Sequence, residues 1–201
     1  MLYKRIAVAI ALSTPLFAMN FGRIPEAQKA ISLETEIVAS VEEEEEPTYQ
    51  WTGPGLTENE QLALNYFQDL GITDRSALAV LLGNIKQESK FHSNICEGGA
   101  RVEYHSCHRG GYGLIQWTTL GRYRGLGRHA SSTGGDPSSF MTQLTYIPTE
   151  VEWKKVEHKF KTKGQTIGYY MNAAYSWLGW GVHGARSHYS YQYYDFLVDS
   201  K

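Results

Sequence analysis

One carboxylate stands at the end of a helical pattern of apolar residues. It lies in residues 81–91, which read LLGNIKQESKF, where Leu81, Leu82 and Ile85 recur at the spacing of a buried helix face. Glu88 follows Ile85 by one helical turn, on the shoulder of that face. Partial burial disfavours an ionised carboxyl and raises its pKa, which suits a general acid near neutral pH. The spacing fits equally well an ordinary solvated glutamate in the last turn of a helix, so it leaves both interpretations open.

Helical patterns on both sides of Glu88 predict the elements that position it. Thr57 and Glu60 have the spacing of a capping box, so the folded domain is predicted to begin at Thr57. Gly71 ends the first helix, and the second, capped by Thr73 or Asp74, runs to about Ser89. Later helical patterns cover residues 138–158, with a kink or break at Pro148, residues 166–177, and a last helix that places Tyr189, Tyr193 and Phe196 on one face.

The first 56 residues differ in composition from the rest. In residues 1–18, Lys4 and Arg5 precede an apolar run that is too short to cross a bilayer, as in an export signal. Residues 19–56 contain five consecutive glutamates, prolines and glycines, which predicts an acidic linker. We therefore expect three segments, 1–18, 19–56 and a folded domain over 57–201, and a secreted or periplasmic protein.

The overall charge excludes one class of partner. The chain has 19 Lys and Arg against 21 Asp and Glu, without the basic stripe of a nucleic-acid binder, and it predicts no stable membrane span. The 20 glycines and 14 tyrosines are the stronger signal. Glycine lets a backbone approach a ligand closely, and tyrosine combines a flat apolar face with a hydroxyl, which suits sugar binding.

Both cysteines lie in one Gly-rich loop after Glu88. In an exported protein, Cys96 and Cys107 are expected to form a disulfide that restricts this loop. A metal site with His92, His105 and His108 is the rival interpretation, but the spacing matches no regular metal motif, so the sequence predicts neither metal nor cofactor. A cysteine peptidase would need a free thiol.

A second Gly-rich stretch follows the cysteine loop. Residues 110–118 read GGYGLIQWT, in which Tyr112, Leu114 and Gln116 alternate as in an extended strand. Its glycines would keep such a strand slim enough to lie against a bound chain. Taken by itself, the stretch predicts a Gly-rich strand and nothing more.

The two stretches together resemble a known family. LLGNIKQESKF, then GGYGLIQWT with Gly121-Arg122 shortly after, is similar to the tail-associated lysozyme domain of bacteriophages, which is related to goose-type lysozymes and lytic transglycosylases. The resemblance covers about residues 57–198 and implies a mainly α, lysozyme-like fold with a short β-strand or hairpin region at the glycan cleft. Residues 175–178 depart from it, because relatives often have an acidic residue there.

The resemblance implies an enzyme that cleaves the β-1,4 bond between N-acetylmuramic acid and N-acetylglucosamine in peptidoglycan. It also implies an alternative localisation, as a phage virion component associated with the tail. Glu88 would be the general acid and base, and the products of hydrolysis and of a lytic transglycosylase both remain open. A hydrolase would need a second carboxylate, for which Glu97 and Glu103 are the first candidates and Asp136 the next. The candidate substrate-binding residues are Tyr112, Gly113, Leu114, Ile115, Gln116, Trp117 and Tyr170, with Trp180 as a further stacking candidate. For each of the four aromatic residues among them, a place in the core is a strong alternative. A non-catalytic wall-binding or virion module, and a cysteine or zinc peptidase, are the alternatives.

Overall fold

The computed structural model describes residues 49–200. The export-like segment and residues 19–48 of the predicted linker lie outside these residues, so the predicted localisation stays a prediction. The helices are α1 Glu58–Asp69, α2 Arg75–Ser89, α3 Leu120–Thr133, α4 Phe140–Tyr146, α5 Val151–Lys154, α6 Glu157–Lys161, α7 Ile167–Leu178 and α8 Arg186–Phe196. Two 3₁₀ turns cover Tyr104–Ser106 and Ile147–Thr149, and two short strands are β1 Trp51–Thr52 and β2 Val198–Asp199. The predicted mainly α, lysozyme-like class is confirmed.

Helix α2 forms the centre of this architecture. Its residues 77–85 are buried around the whole circumference, and it packs along its length against α8 and also against α7 and α1. Gly83 permits the close approach of α8, because a Cβ atom at this position would lie 2.6 Å from the backbone nitrogen of Ser190. This close packing brings the start of α8 alongside the end of α2, where Glu88 lies.

The small sheet joins the two ends of the described chain. β1 and β2 pair antiparallel, with Trp51 opposite Asp199. The Gln68 side chain exchanges two hydrogen bonds with the Trp51 backbone, of 2.8 and 2.9 Å, and the Trp51 indole donates to the carbonyl of Thr73 at 2.9 Å. Residues 51 and 52 therefore pack against the folded unit, shortly before the predicted domain start at Thr57.

The predicted capping box is present and extends into a buried network. The Glu60 carboxylate accepts hydrogen bonds of 2.8 Å from the Thr57 backbone and hydroxyl, one of 2.8 Å from Lys86 Nζ, and one from the Tyr193 hydroxyl. Burial alone would raise the pKa of Glu60, but these donors outweigh it and lower the pKa to about 2. The network ties the start of α1 to α2 and α8.

This network predicts a specific acid sensitivity. A carboxyl whose pKa is depressed by folding stabilises the protein above its unfolded pKa, and that stability is lost as the pH falls towards the folded value. Between the ordinary pKa of 4.5 and about 2, the free energy of unfolding is expected to fall by about 3 kcal/mol on account of Glu60. Urea unfolding across this pH range measures the decrease. It should be absent in Glu60→Gln and unchanged in Glu103→Gln, whose side chain is exposed. Equal pH dependence in both variants would contradict it.

Among residues 49–200, no helix is both long and apolar enough to cross a membrane.

Candidate active site

Glu88 lies in the last turn of α2 with its side chain 15% exposed. Arg186, at the start of α8, donates from Nη2 to Glu88 Oε1. Burial raises the pKa of Glu88, and the attraction of Arg186 and of the more distant Arg122 offsets this only in part. The structure thus places Glu88 on the edge of the core, and its carboxyl retains a proton at higher pH than an exposed glutamate does.

The Arg186 guanidinium is fixed from several sides. Only 4% of the residue is exposed, and its Nη1 donates to the carbonyls of Val182 and His183 at 2.9 and 2.8 Å. Its Cζ lies 4.4 Å from the ring centroid of Trp180, at cation–π distance. Arg186 therefore presents a rigid positive charge to Glu88.

The loop that carries Trp180 is itself bound to α2. Gln87 Oε1 accepts a hydrogen bond of 2.9 Å from the backbone of Ala185. Gly184 has φ +62°, and a Cβ atom there would lie 2.8 Å from the Gln87 amide carbon. The residue next to Glu88 thus positions the loop that in turn positions Arg186.

The Gly-rich stretch is a tight turn instead of the predicted strand. Gly113 has φ +75° and Gln116 φ +54°, and left-handed residues break an extended segment; Tyr112 alone makes a β-bridge, to Cys96. Gln143 is fully buried and holds the turn, because its Oε1 accepts from the backbone of Leu114 at 2.9 Å. A Cβ atom on Gly113 would lie 2.4 Å from the same oxygen, so this position requires glycine.

These elements enclose a cleft with Glu88 in its wall. Glu97 also lines it; the residue is exposed, and its Oε2 accepts from the backbone of Gly111 at 3.1 Å. Glu103 is exposed at the start of a 3₁₀ turn and does not line the cleft. The remaining lining residues come from the Gly-rich turn, the start of α3, and the segment from the end of α7 to the start of α8: Gly111, Ile115, Gln116, Thr118, Thr119, Arg122, Leu178, Gly179, Trp180, Gly181, Val182 and Arg186.

The structure separates the predicted substrate-binding residues into two groups. Ile115 and Gln116 line the cleft, and so does Trp180. The side chains of Tyr112, Leu114, Trp117 and Tyr170 are fully buried in the core, where an enclosed ring offers no face to a sugar, and their role in sugar contact stays a prediction. Gly113 is also buried and acts through the backbone turn.

A buried ion pair supports the cleft from below. Glu150 is 4% exposed and accepts two hydrogen bonds from Arg122, of 2.7 and 3.0 Å, in a bidentate arrangement. The indoles of Trp117 and Trp177 donate to the same carboxylate at 2.9 and 3.3 Å. Glu150 thus holds Arg122 at the cleft wall. Sequence reasoning missed Glu150, which has no motif of its own.

The predicted disulfide between Cys96 and Cys107 is present, with Cα atoms 5.6 Å apart. Both thiols are therefore unavailable as metal ligands or nucleophiles, and within residues 49–200 no group of three His, Cys, Asp or Glu side chains could hold a metal ion. The bond closes the loop that carries Glu97 into the cleft.

Removal of this bond is expected to destabilise the protein. A cross-link between residues 11 positions apart restricts the unfolded chain enough to account for about 3 kcal/mol. The double variant Cys96→Ser, Cys107→Ser should show that decrease in the free energy of urea unfolding. Adding a thiol reductant should lower the stability of the wild type to a similar value and leave the double variant unchanged; a wild type indifferent to reduction would contradict the prediction.

Comparison with known proteins agrees with this geometry. The model of one protein family, described as phage tail lysozyme, matches residues 58–197. The chain belongs to the phage tail lysozyme family. No curated protein matches its sequence. As a member of the phage tail lysozyme family, the protein has a lysozyme-like, peptidoglycan-degrading function of the muramidase type.

Proposed function

We propose that this protein cleaves the β-1,4 bond between N-acetylmuramic acid and N-acetylglucosamine, with Glu88 as general acid. The observation that carries the proposal is a cleft carboxyl whose pKa burial raises, in a member of a lysozyme family. Two carboxyls line the cleft among the described residues, and Glu88 is the one that burial desolvates, because Glu97 is exposed.

The protonated Glu88 would donate its proton to the glycosidic oxygen as that oxygen leaves and the muramoyl ring acquires oxocarbenium character. The carboxylate that remains is stabilised by the hydrogen bond from Arg186 and the charge of Arg122. Burial favours the protonated acid before the reaction, and the two arginines stabilise its conjugate base afterwards.

In the second step the Glu88 carboxylate takes a proton from the group that attacks the sugar. If that group is water, a second carboxylate is expected to orient it, and Glu97 fits this role better than Glu103 because only Glu97 lines the cleft with Glu88. If it is the muramoyl 6-hydroxyl, Glu88 alone suffices and the product is a 1,6-anhydro sugar.

Trp180 is the proposed sugar-stacking residue. Its ring is half-buried, packs edge-on against the exposed Tyr175 at 5.1 Å between centroids, and lies over Arg186. It combines an accessible apolar surface with a fixed orientation, which stacking on a sugar requires.

Product analysis tests the proposal. The full chain is incubated with purified peptidoglycan, and the soluble fragments are separated and identified by mass spectrometry. New N-acetylmuramic acid reducing ends support hydrolysis, and 1,6-anhydro ends support the transglycosylase. New N-acetylglucosamine reducing ends or cleaved peptides would overturn the proposed bond, and binding without any fragments would indicate a non-catalytic module.

A further inference from the structure

A group of cations lies beside the cleft and takes no part in the chemistry proposed above. A recess that contains Glu88, Glu97 and Gln116, all three shared with the cleft, is also lined by Lys90, His92 and Arg101. None of Lys90, His92 and Arg101 lines the cleft itself, so the recess adjoins the cleft at the three shared residues. We call Lys90, His92 and Arg101, of which Lys90 and Arg101 carry the positive charge, the cationic recess.

The backbone that presents these cations is held in an unusual conformation. Lys90 and Phe91 both have positive φ, of 52° and 61°, although neither is glycine. Such residues cost free energy and persist where the surrounding structure fixes them, often at functional sites. Here Phe91 is buried against the edge of Tyr193, and its carbonyl accepts from the Asn59 amide at 3.0 Å. The turn therefore places Lys90 and His92 at the recess immediately after Glu88.

Arg101 is oriented as well. Its Nε donates to the Asn94 side chain at 2.7 Å, and its backbone forms a β-bridge with Ile95. In the part of the chain that the structure describes, none of the ion pairs involves Lys90 or Arg101, whereas the nearby Lys86 is paired with Glu60. Burial, and after it the charges of Arg101, Lys90 and Lys86, lower the pKa of His92, so this imidazole favours its neutral form and Lys90 and Arg101 supply the positive charge of the recess.

The substrate class of the proposed function explains the need for such charges. In peptidoglycan the muramoyl sugar carries a short peptide, and this peptide bears free carboxylates. A glycan strand bound with its scissile bond at Glu88 would present the peptide of its muramoyl sugar beside the cleft. Carboxylates bind best to clustered cations whose N–H donors are oriented. The guanidinium of Arg101 is such a cation, because Asn94 fixes its orientation.

We propose that the cationic recess binds the carboxylates of the muramoyl-linked peptide and makes this protein selective for peptide-bearing glycan over bare glycan. The inference rests on the proposed glycosidase function, since it takes the cleft at Glu88 as the glycan site. The carboxylates of Glu88 and Glu97 lie where the recess joins the cleft, so they confine the anionic peptide to the far side.

The test compares two substrates and two variants of the full chain. The substrates are intact peptidoglycan and the same glycan after an amidase has removed the peptides. The first variant is Lys90→Gln with Arg101→Gln, and the matched control is Lys155→Gln with Lys163→Gln, which removes the same charge from exposed residues outside the recess. Thermal unfolding verifies that both variants remain folded.

The recess variant is expected to lose roughly tenfold in kcat/KM on peptide-bearing glycan, mainly through KM, and nothing on bare glycan. The control should match the wild type on both substrates. An equal loss on the two substrates, an equal loss in the control, or a wild type without preference for peptide-bearing glycan would each overturn the inference while leaving the glycosidase function intact. A wild type that cleaves neither substrate would instead refute the proposed function, and this inference with it.

Discussion

Glu88→Gln is expected to cleave peptidoglycan about 10²- to 10⁴-fold more slowly than the wild type, because glutamine occupies the same volume but cannot supply a proton to the leaving oxygen. The pH dependence should identify the same group. The wild-type rate is expected to fall as the pH rises through the pKa of Glu88, which burial places above its usual range, since only the protonated form acts as the acid. The residual activity of the variant should lack that alkaline decrease.

The control for this variant is Glu103→Gln, an exposed glutamate outside the cleft, which should retain full activity. Loss of fold is not expected to explain the inactivity of Glu88→Gln. A carboxyl whose pKa is raised by folding costs stability once the pH exceeds its unfolded pKa, so the neutral amide should be tolerated at pH 7. Turbidity clearance of peptidoglycan and a thermal melt measure the two quantities. Wild-type clearance by Glu88→Gln would refute the catalytic assignment.

The sequence predicts the local part of this site well. The apolar repeat before Glu88 and the capping box at Thr57 are periodic features within a single helix, and both are where the pattern places them. The pairing of Cys96 with Cys107 follows from their proximity in the chain. Each of these features depends on neighbours in sequence, which the printed chain shows directly.

The partners of Glu88 could not be predicted in the same way. Arg186 is 98 positions from Glu88, and Glu150 is 28 positions from Arg122. Such pairs form because the packing of whole helices brings their ends together, and nothing in the local pattern of Glu150 distinguishes it from a surface glutamate. The strand predicted for the Gly-rich stretch is absent for a related reason. The alternation of its residues is typical of a strand, but Gln143, in a helix further along the chain, accepts a hydrogen bond from its backbone and holds it in a turn.

Arg186 is expected to control the pKa of Glu88, the proposed catalytic acid, and the stability of the cleft together. Replacement by alanine removes the charge that lowers the pKa of Glu88, while the burial that raises it remains. The alkaline limb of the rate profile should therefore move to higher pH, and the maximal rate should fall because the carboxylate left after proton transfer loses its donor. The carbonyls of Val182 and His183 lose their donor as well, so the free energy of unfolding should fall by about 3 kcal/mol at neutral pH.

Arg186→Lys separates these two effects. Lysine keeps the positive charge near Glu88, but one ammonium cannot reproduce the planar contact with Trp180 together with donors to Glu88, Val182 and His183. The lysine variant should therefore keep the alkaline limb close to that of the wild type while losing part of the stability. If Arg186→Ala and Arg186→Lys both kept the wild-type pH profile, the charge of Arg186 would not help to set the pKa of Glu88. Arg186 would then serve only to hold the loop that carries Trp180. If the alkaline limb moved to higher pH in Arg186→Ala but not in Arg186→Lys, the positive charge at the start of α8 would be what lowers the pKa of Glu88 at the end of α2.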